Sequence, residues 1–251
     1  MHIENYTGTA DTFTWPYNPK VFDGVNNPNY QITKIGFQKH HILVSGEGLD
    51  PKSLLLNGHF SGITKLTSYR NCSKHFLQSS TLKKLYFDSS YFHLGVGKQI
   101  KKTHSAGRTN FIDYVASFEA IVGILFADTE KTSGTNDGNV RTYITEITGT
   151  VTSGASDIVI TDGIGNEITI ASAHLTTGHT FTYKLVEMVD SGSGIYVSEY
   201  GYVELNGTQS KNVQTTGGFG IIQLEPGANI TTVTTTNLST VVKKFHDGYF
   251  D

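Results

Sequence analysis

Residues Thr81 to Phe126 read TLKKLYFDSSYFHLGVGKQIKKTHSAGRTNFIDYVASFEAIVGILF, and how this stretch divides decides the fold. From Ile112 every second residue is apolar: Ile112, Tyr114, Ala116, Phe118, Ala120, Val122, Ile124 and Phe126. The other register opens with Asp113, Val115, Ser117 and Glu119. Successive side chains of a strand point to opposite sheet faces, so this period of two predicts one long strand with a buried face and a partly wet one. A helix presenting Phe111, Tyr114, Val115, Phe118, Val122 and Leu125 is the competing reading; the aromatic and β-branched content favours the strand. Upstream, Leu82 to Phe87 and Tyr91 to Ile100 read as a strand pair joined through Asp88-Ser89-Ser90.

Working outward, Ser79 and Ser80 close a predicted helix over Thr64 to Gln78, whose partial apolar face is Leu66, Tyr69, Ser73, Phe76 and Leu77. Before it lie Leu54-Leu55-Leu56, the Asn57-Gly58 turn signal and a plausible strand pair from Gln31 to Val44. Residues Met1 to Tyr30 are polar and turn-rich but carry Phe13, Trp15, Tyr17 and Phe22, which fits an arm docked by its aromatics. On the other side, Ala127 to Asn139 has no apolar residue beyond its first alanine and reads as a linker or long loop.

Beyond it the composition shifts to Thr, Gly, Ile and Val. Successive strands are expected around Tyr143–Ile147, Ile158–Ile160, Ile168–Ile170, Phe181–Val189, Ile195–Leu205, Gly220–Leu224, Ile230–Val233 and Leu238–Phe245. Turn signals at Asp162-Gly163, Gly165-Asn166, Ser191 to Gly194 and Asn206-Gly207 separate them at sandwich-like spacing. The fold class is therefore mainly β: an aromatic arm (1–30), a β-domain with one helix (31–126), a linker (127–139) and a C-terminal β-sandwich (140–251).

Composition narrows the function. The 251 residues carry a formal net charge of −3, which gathers neither nucleic acid nor anionic membrane. A single cysteine, Cys72, excludes an internal disulfide framework and a cysteine-rich zinc site, and a small buried thiol is expected. No apolar run reaches membrane-spanning length and the N-terminus has no signal-peptide profile, so a soluble chain made in a cytoplasm is expected.

Ten histidines invite a metal reading, but His40 and His41 are adjacent and would point to opposite faces of a strand. His59, His75, His93 and His104 are scattered without carboxylates at ligand spacing. Gly95-Val96-Gly97-Lys98 lacks P-loop or dinucleotide spacing, and glycines within a strand point to a bulge or a close backbone approach. No nucleophile elbow occurs, and nothing marks Asp113, Glu119, Asp162 or Glu167 as a catalytic pair. The expectation is no enzyme, no cofactor and no metal.

Two motifs carry a resemblance. Ser53-Leu54-Leu55-Leu56-Asn57-Gly58-His59-Phe60-Ser61-Gly62, followed by a helix and a strand pair, resembles the ring-forming N-terminal domain of distal tail proteins. These sit at the tail tip of long-tailed phages and related archaeal viruses. Leu224-Glu225-Pro226-Gly227-Ala228-Asn229 resembles the L-x-P-G-x-N turn of the C-terminal sandwich in such proteins.

The resemblance implies a structural virion protein of the tail tip, a homo-oligomeric ring (a hexamer) joining the tail tube protein to the hub or fibre protein. It implies a galectin-like or similar C-terminal sandwich, no membrane partner, and nucleic acid only in transit through the lumen. The long aromatic arm departs from the family pattern.

The densest basic cluster, Lys98, Lys101, Lys102, His104 and Arg108, reads either as a solvated hairpin tip or as a contact to an acidic neighbour or a phosphate backbone, and the resemblance implies a tip facing the lumen or a neighbouring subunit. Phe111, Val115 and Ile121, on the wetter register of the long strand, are candidate subunit contacts. The alternative is a carbohydrate- or receptor-binding module, with Tyr183, Tyr196, Tyr200 and Tyr202 as candidate contacts to a host glycan.

Overall fold

A computed structural model describes residues 1–6, 11–23, 52–103, 110–217 and 220–249, with the backbone alone at 22 and 23. The expected strand pair at Gln31 to Val44, the paired His40 and His41, and His104 and Arg108 lie outside the described residues. The chain divides into two compact units, Met1–Leu125 and Phe126–Asp251.

The first unit contains β1 (His2–Asn5), β2 (Thr12–Thr14), β3 (Lys20–Asp23), β4 (Lys52–Ser61), the helix α1 (Lys65–Phe76), β5 (Lys83–Tyr86), β6 (Tyr91–Thr103) and β7 (Phe111–Ala120). Its strands are hydrogen-bonded in the order β2-β1-β5-β6-β7-β4-β3, every pair antiparallel. Laid flat, six inter-strand steps span roughly 29 Å. The chain from Thr14 to Lys20, which links the two outermost strands, reaches about 22 Å at full extension. The sheet must therefore curl, and it curls around α1, which contacts β1, β2, β4, β6 and β7.

Helix α1 buries Cys72 and Phe76, one turn apart on one face, and its last turn carries Lys74 and His75 where the helix dipole favours positive charge. Inside the curl, Leu54, Leu56 and Phe60 of β4 meet Tyr114, Ala116 and Phe118 of β7. Each fully buried Leu or Phe stabilises the unit by about 1.5–3 kcal/mol. The arm belongs to this sheet: Ile3 and Trp15 are core residues, and the Phe13 ring meets Trp15 edge-on at 5.3 Å.

The buried register from Tyr114 to Phe126 is as expected, but the long strand is two. β7 ends at Ala120, Ile121 to Ile124 bend, and β8 (Leu125–Lys131) follows. The bend is held from outside the segment, by the Ile121 N–H donating to the Leu94 carbonyl and His93 Nδ1 lying 3.1 Å from the Ile124 carbonyl. Ile121 is consequently buried rather than on a wet face.

Gly95 and Gly97 are places of close backbone approach: a Cβ at Gly95 would overlap the β7 backbone at Glu119, and one at Gly97 the Phe76 carbonyl. A β-bulge lies between Gly97 and Gln99.

The second unit begins with β8, so the first part of the polar run 127–139 is strand. It continues through β9 (Thr142–Val151), β10 (Ile158–Thr161), β11 (Glu167–Ile170), β12 (Thr180–Asp190), β13 (Tyr196–Leu205), β14 (Thr208–Gln209), β15 (Gln214–Thr216), β16 (Gln223–Leu224), β17 (Thr234–Thr235) and β18 (Leu238–Tyr249). One sheet runs β14-β13-β12-β9-β18-β8, and a four-stranded sheet runs β15-β11-β10-β17. Their inner residues share one core, Ile144, Ile147, Phe181, Tyr183 and Phe245 against Ile158, Ile160, Ile168 and Ile170, as in a sandwich of two packed sheets.

Asn206 and Gly207 both take positive φ, the geometry of a tight hairpin turn, and join β13 to β14. Ile230 to Thr232 forms a 3-10 turn rather than a strand, because the Asn229 side chain accepts from the Thr231 N–H and caps it.

Candidate functional site

Among the described residues no cluster of three or more His, Cys, Asp or Glu side chains could hold a metal ion. Cys72 is buried beside Trp15, and burial pushes its thiol up to about 12. A thiol so protonated is a poor nucleophile. No helix among the described residues is long and apolar enough to cross a membrane.

What the fold does present is a sheet face. On β4 and β7 the inward register fills the curl, so the alternate register points outward. Cross-strand pairs on that outer face are Leu55 with Ser117, Asn57 with Val115, His59 with Asp113 and Ser61 with Phe111. β6 extends the face through Lys101, opposite Val115, and Thr103, opposite Asp113. Leu55 is 40% and Phe111 39% exposed, and Val115 is half-buried. The His59 ring stacks on Tyr17 at 5.4 Å and meets Phe111 edge-on at 5.3 Å. Beside this row lies an open hollow of about 470 Å³ lined by Tyr17, Lys20, Asn57, His59, Asp113 and Val115, among others.

Of the residues expected at a basic tip, Lys98, Lys101 and Lys102 are described, and they lie along β6. At the bulge, Lys98 pairs with Glu119 at 2.9 Å; Lys102 lies 4.9 Å over the Tyr69 ring, and Lys101 stands on the outer face. Strand alternation and one bulge thus separate charges that are neighbours in sequence. Phe111 and Val115, in contrast, do share the outer face. Leu55, His59 and Tyr17 complete it; Tyr17 was among the aromatics of the arm, while Leu55, inside the unbroken run Leu54-Leu55-Leu56, and His59 carried no local signal for this face.

The tyrosines named as glycan contacts do not form one platform. Tyr183 lies in the sandwich core and accepts a hydrogen bond from the Ile222 N–H at 3.2 Å; burial holds its phenol well above the usual range. It has no surface to offer a sugar. The Lys184 ammonium lies 5.7 Å over the Tyr202 ring, cross-strand from it. Tyr200 is half-buried opposite Val186, and Tyr196 is exposed at the end of the β12–β13 hairpin.

The Leu224 to Asn229 turn is built as its residues suggest. The Ala228 N–H donates to the Glu225 carbonyl across Pro226 and Gly227, and Gly227 takes φ 74°. It docks on the loop after β8: Gly227 N–H donates to the Asn136 carbonyl, and Asn136 N–H to the Ala228 carbonyl. Asn136 is fully buried, and its side chain makes four further bonds, donating to Val140 and Leu224 carbonyls and accepting from Gly138 and Gly248 N–H groups.

Lys131 in the same loop region bonds Asp137 and Asp247 at 2.7 Å each. Partial burial pulls its ammonium down, but the two carboxylates together outweigh that and hold it above the ordinary lysine value. These polar groups are structural joints.

No protein-family profile matches the chain, and no curated protein sequence matches it. Among solved structures it is similar to the crystal structure of the SPP1 Dit protein (gp 19.1), described as a paradigm of the hub adsorption apparatus in phages that infect Gram-positive bacteria. The TM-score is 0.41 at 11% identity, over 99% of this chain and 92% of that one.

Proposed function

We propose that this chain is a structural protein of a viral tail tip. Copies of its first unit would assemble into a hexameric ring in the virion, joining the tail tube protein to a hub or fibre protein. Its role on this reading is architectural and not catalytic. The observation that carries the proposal is the outer face of β4 and β7. Its inner register already fills a complete core, while Leu55, Phe111 and the Tyr17–His59–Phe111 row remain at the surface. Apolar side chains grouped on a sheet face mark a protein contact more readily than a small-molecule site. The L-x-P-G-x-N turn and the Ser53 to Gly62 strand, through which the sequence resembles distal tail proteins, support the same reading.

Sedimentation velocity and native mass spectrometry of the full chain test it. Discrete ring-sized oligomers that grow in with concentration are expected. A monomer at every concentration overturns the proposal.

A further inference from the structure

Lys83 of β5 is 2% exposed, and burying an ammonium is costly unless a carboxylate answers it. Among the described residues it makes no ion pair. The neighbouring acids are engaged elsewhere. Glu4 pairs with Lys84 at 3.7 Å and accepts from the Tyr86 hydroxyl at 3.2 Å, and Asp11 lies 3.3 Å from His75 Nδ1. The Lys83 ammonium donates instead to two neutral amides, the side-chain oxygen of Asn5 and, at 2.9 Å, that of Gln78.

The backbone fixes this arrangement. Asn5 ends β1 and stands directly opposite Lys83 across the β1–β5 ladder. Just beyond the pair, the Tyr6 N–H donates to the Leu82 carbonyl at 2.8 Å. On its other side Lys83 is opposite Gly95 of β6, which offers no side-chain acceptor.

A nitrogen already hydrogen-bonded to a carbonyl oxygen lies within about 1 Å of the roughly 3–3.5 Å at which it can attack that carbon. Burial pulls the Lys83 ammonium below the ordinary lysine value, against the field of Asp11, and so favours the neutral, nucleophilic amine. Of the two amides, Gln78 is exposed, whereas Asn5 is half-buried and held in register by the sheet.

We propose that Lys83 and Asn5 form an intramolecular isopeptide bond that ties the aromatic arm to the sheet. Nζ attacks Asn5 Cγ, the Cγ–Nζ bond forms and the Cγ–Nδ2 bond breaks. The two protons that the lysine ammonium sheds go to the departing nitrogen, which leaves as ammonium. The reaction takes no oxidant or cofactor, and it carries the buried charge out of the core. The closed loop takes in β2, β3, β4 and α1, so the bond also restricts the unfolded chain.

Intact-mass spectrometry of the full chain, followed by tryptic peptide mapping, tests the bond. The expected mass is one ammonia below that of the sequence, with a branched peptide joining Asn5 to Lys83. Lys83→Met and Asn5→Ala should each lose that branch. A wild-type digest without the branch overturns the proposal. So does an ammonia loss confined to a single unbranched peptide, or a branch from Lys83 to Gln78. The measurement is made on denatured protein, so its outcome is independent of whether copies associate into a ring.

Discussion

Both units bring backbones into close contact at glycines, in the second where Gly138 meets the Gly248 carbonyl, but they differ in what they add to that. The first relies on it around its helix. Gly58 lets the Tyr114 ring lie across it, with the phenol oxygen 2.5 Å from where a Cβ would be, and Gly97 lets β6 rest on the Phe76 carbonyl at the end of α1. The second adds buried polar side chains whose every bond is made. Asn136 gathers four backbone groups, and the Asp162 carboxylate accepts from the N–H groups of Ile164, Asn166 and Gln223 and from the Asn166 side chain.

The difference teaches where each unit is brittle. A curled sheet wrapped on a helix fails when something is added between backbones. A sandwich closed by long loops fails when a polar joint is taken away.

The largest expected effect tests the first half of that contrast. Gly97→Ala places a methyl on the Phe76 carbonyl and should destabilise the first unit by about 3 kcal/mol or more. Trp15 is the only tryptophan and sits in that core, so the denaturant midpoint followed by its fluorescence reads this unit alone. An unchanged midpoint would break the comparison.

Asn136→Ala tests the other half. It leaves the Val140 and Leu224 carbonyls and the Gly138 and Gly248 N–H groups short of partners, and about 2–3 kcal/mol should be lost. Amide hydrogen exchange across β9 and β18 should accelerate while the Trp15 midpoint stays put.

The smallest effect sharpens the account of the first core. Folding keeps the Cys72 thiol protonated up to about 12, while the unfolded chain releases that proton near 9. The raised value means stability is intact below pH 9 and falls as pH rises between those two values. Relative to Cys72→Ala, the wild type should lose about 1 kcal/mol more between pH 7 and pH 10. Parallel pH profiles of the two proteins would place the thiol outside the core.

Much of this was legible locally. The alternation of Tyr114, Ala116, Phe118 and Ala120, the helix ending in Phe76, and the Asn206-Gly207 turn are each dictated by neighbours in the chain. What sequence reading missed depends on distant partners. Asn136 lies in a run with the composition of a linker, and Leu224 and Gly248, far along the chain, supply half of the side-chain bonds that make its burial favourable. Tyr183 looks like any strand tyrosine until the Ile222 N–H is found against its hydroxyl. The lysines of β6 form a cluster in one dimension and part company once a strand and a bulge direct them.

The pairing of β4 with β7 also sets a timetable for the growing chain. All ten residues of β4 pair with β7, from Lys52 with Ala120 to Ser61 with Phe111, and β1 pairs with β5 some eighty residues later in the chain. Closing such distant segments is slow compared with forming a hairpin. During synthesis β4 has no partner on its β7 side until residue 120 has left the ribosome. The outer face is therefore completed only near the end of that unit's synthesis.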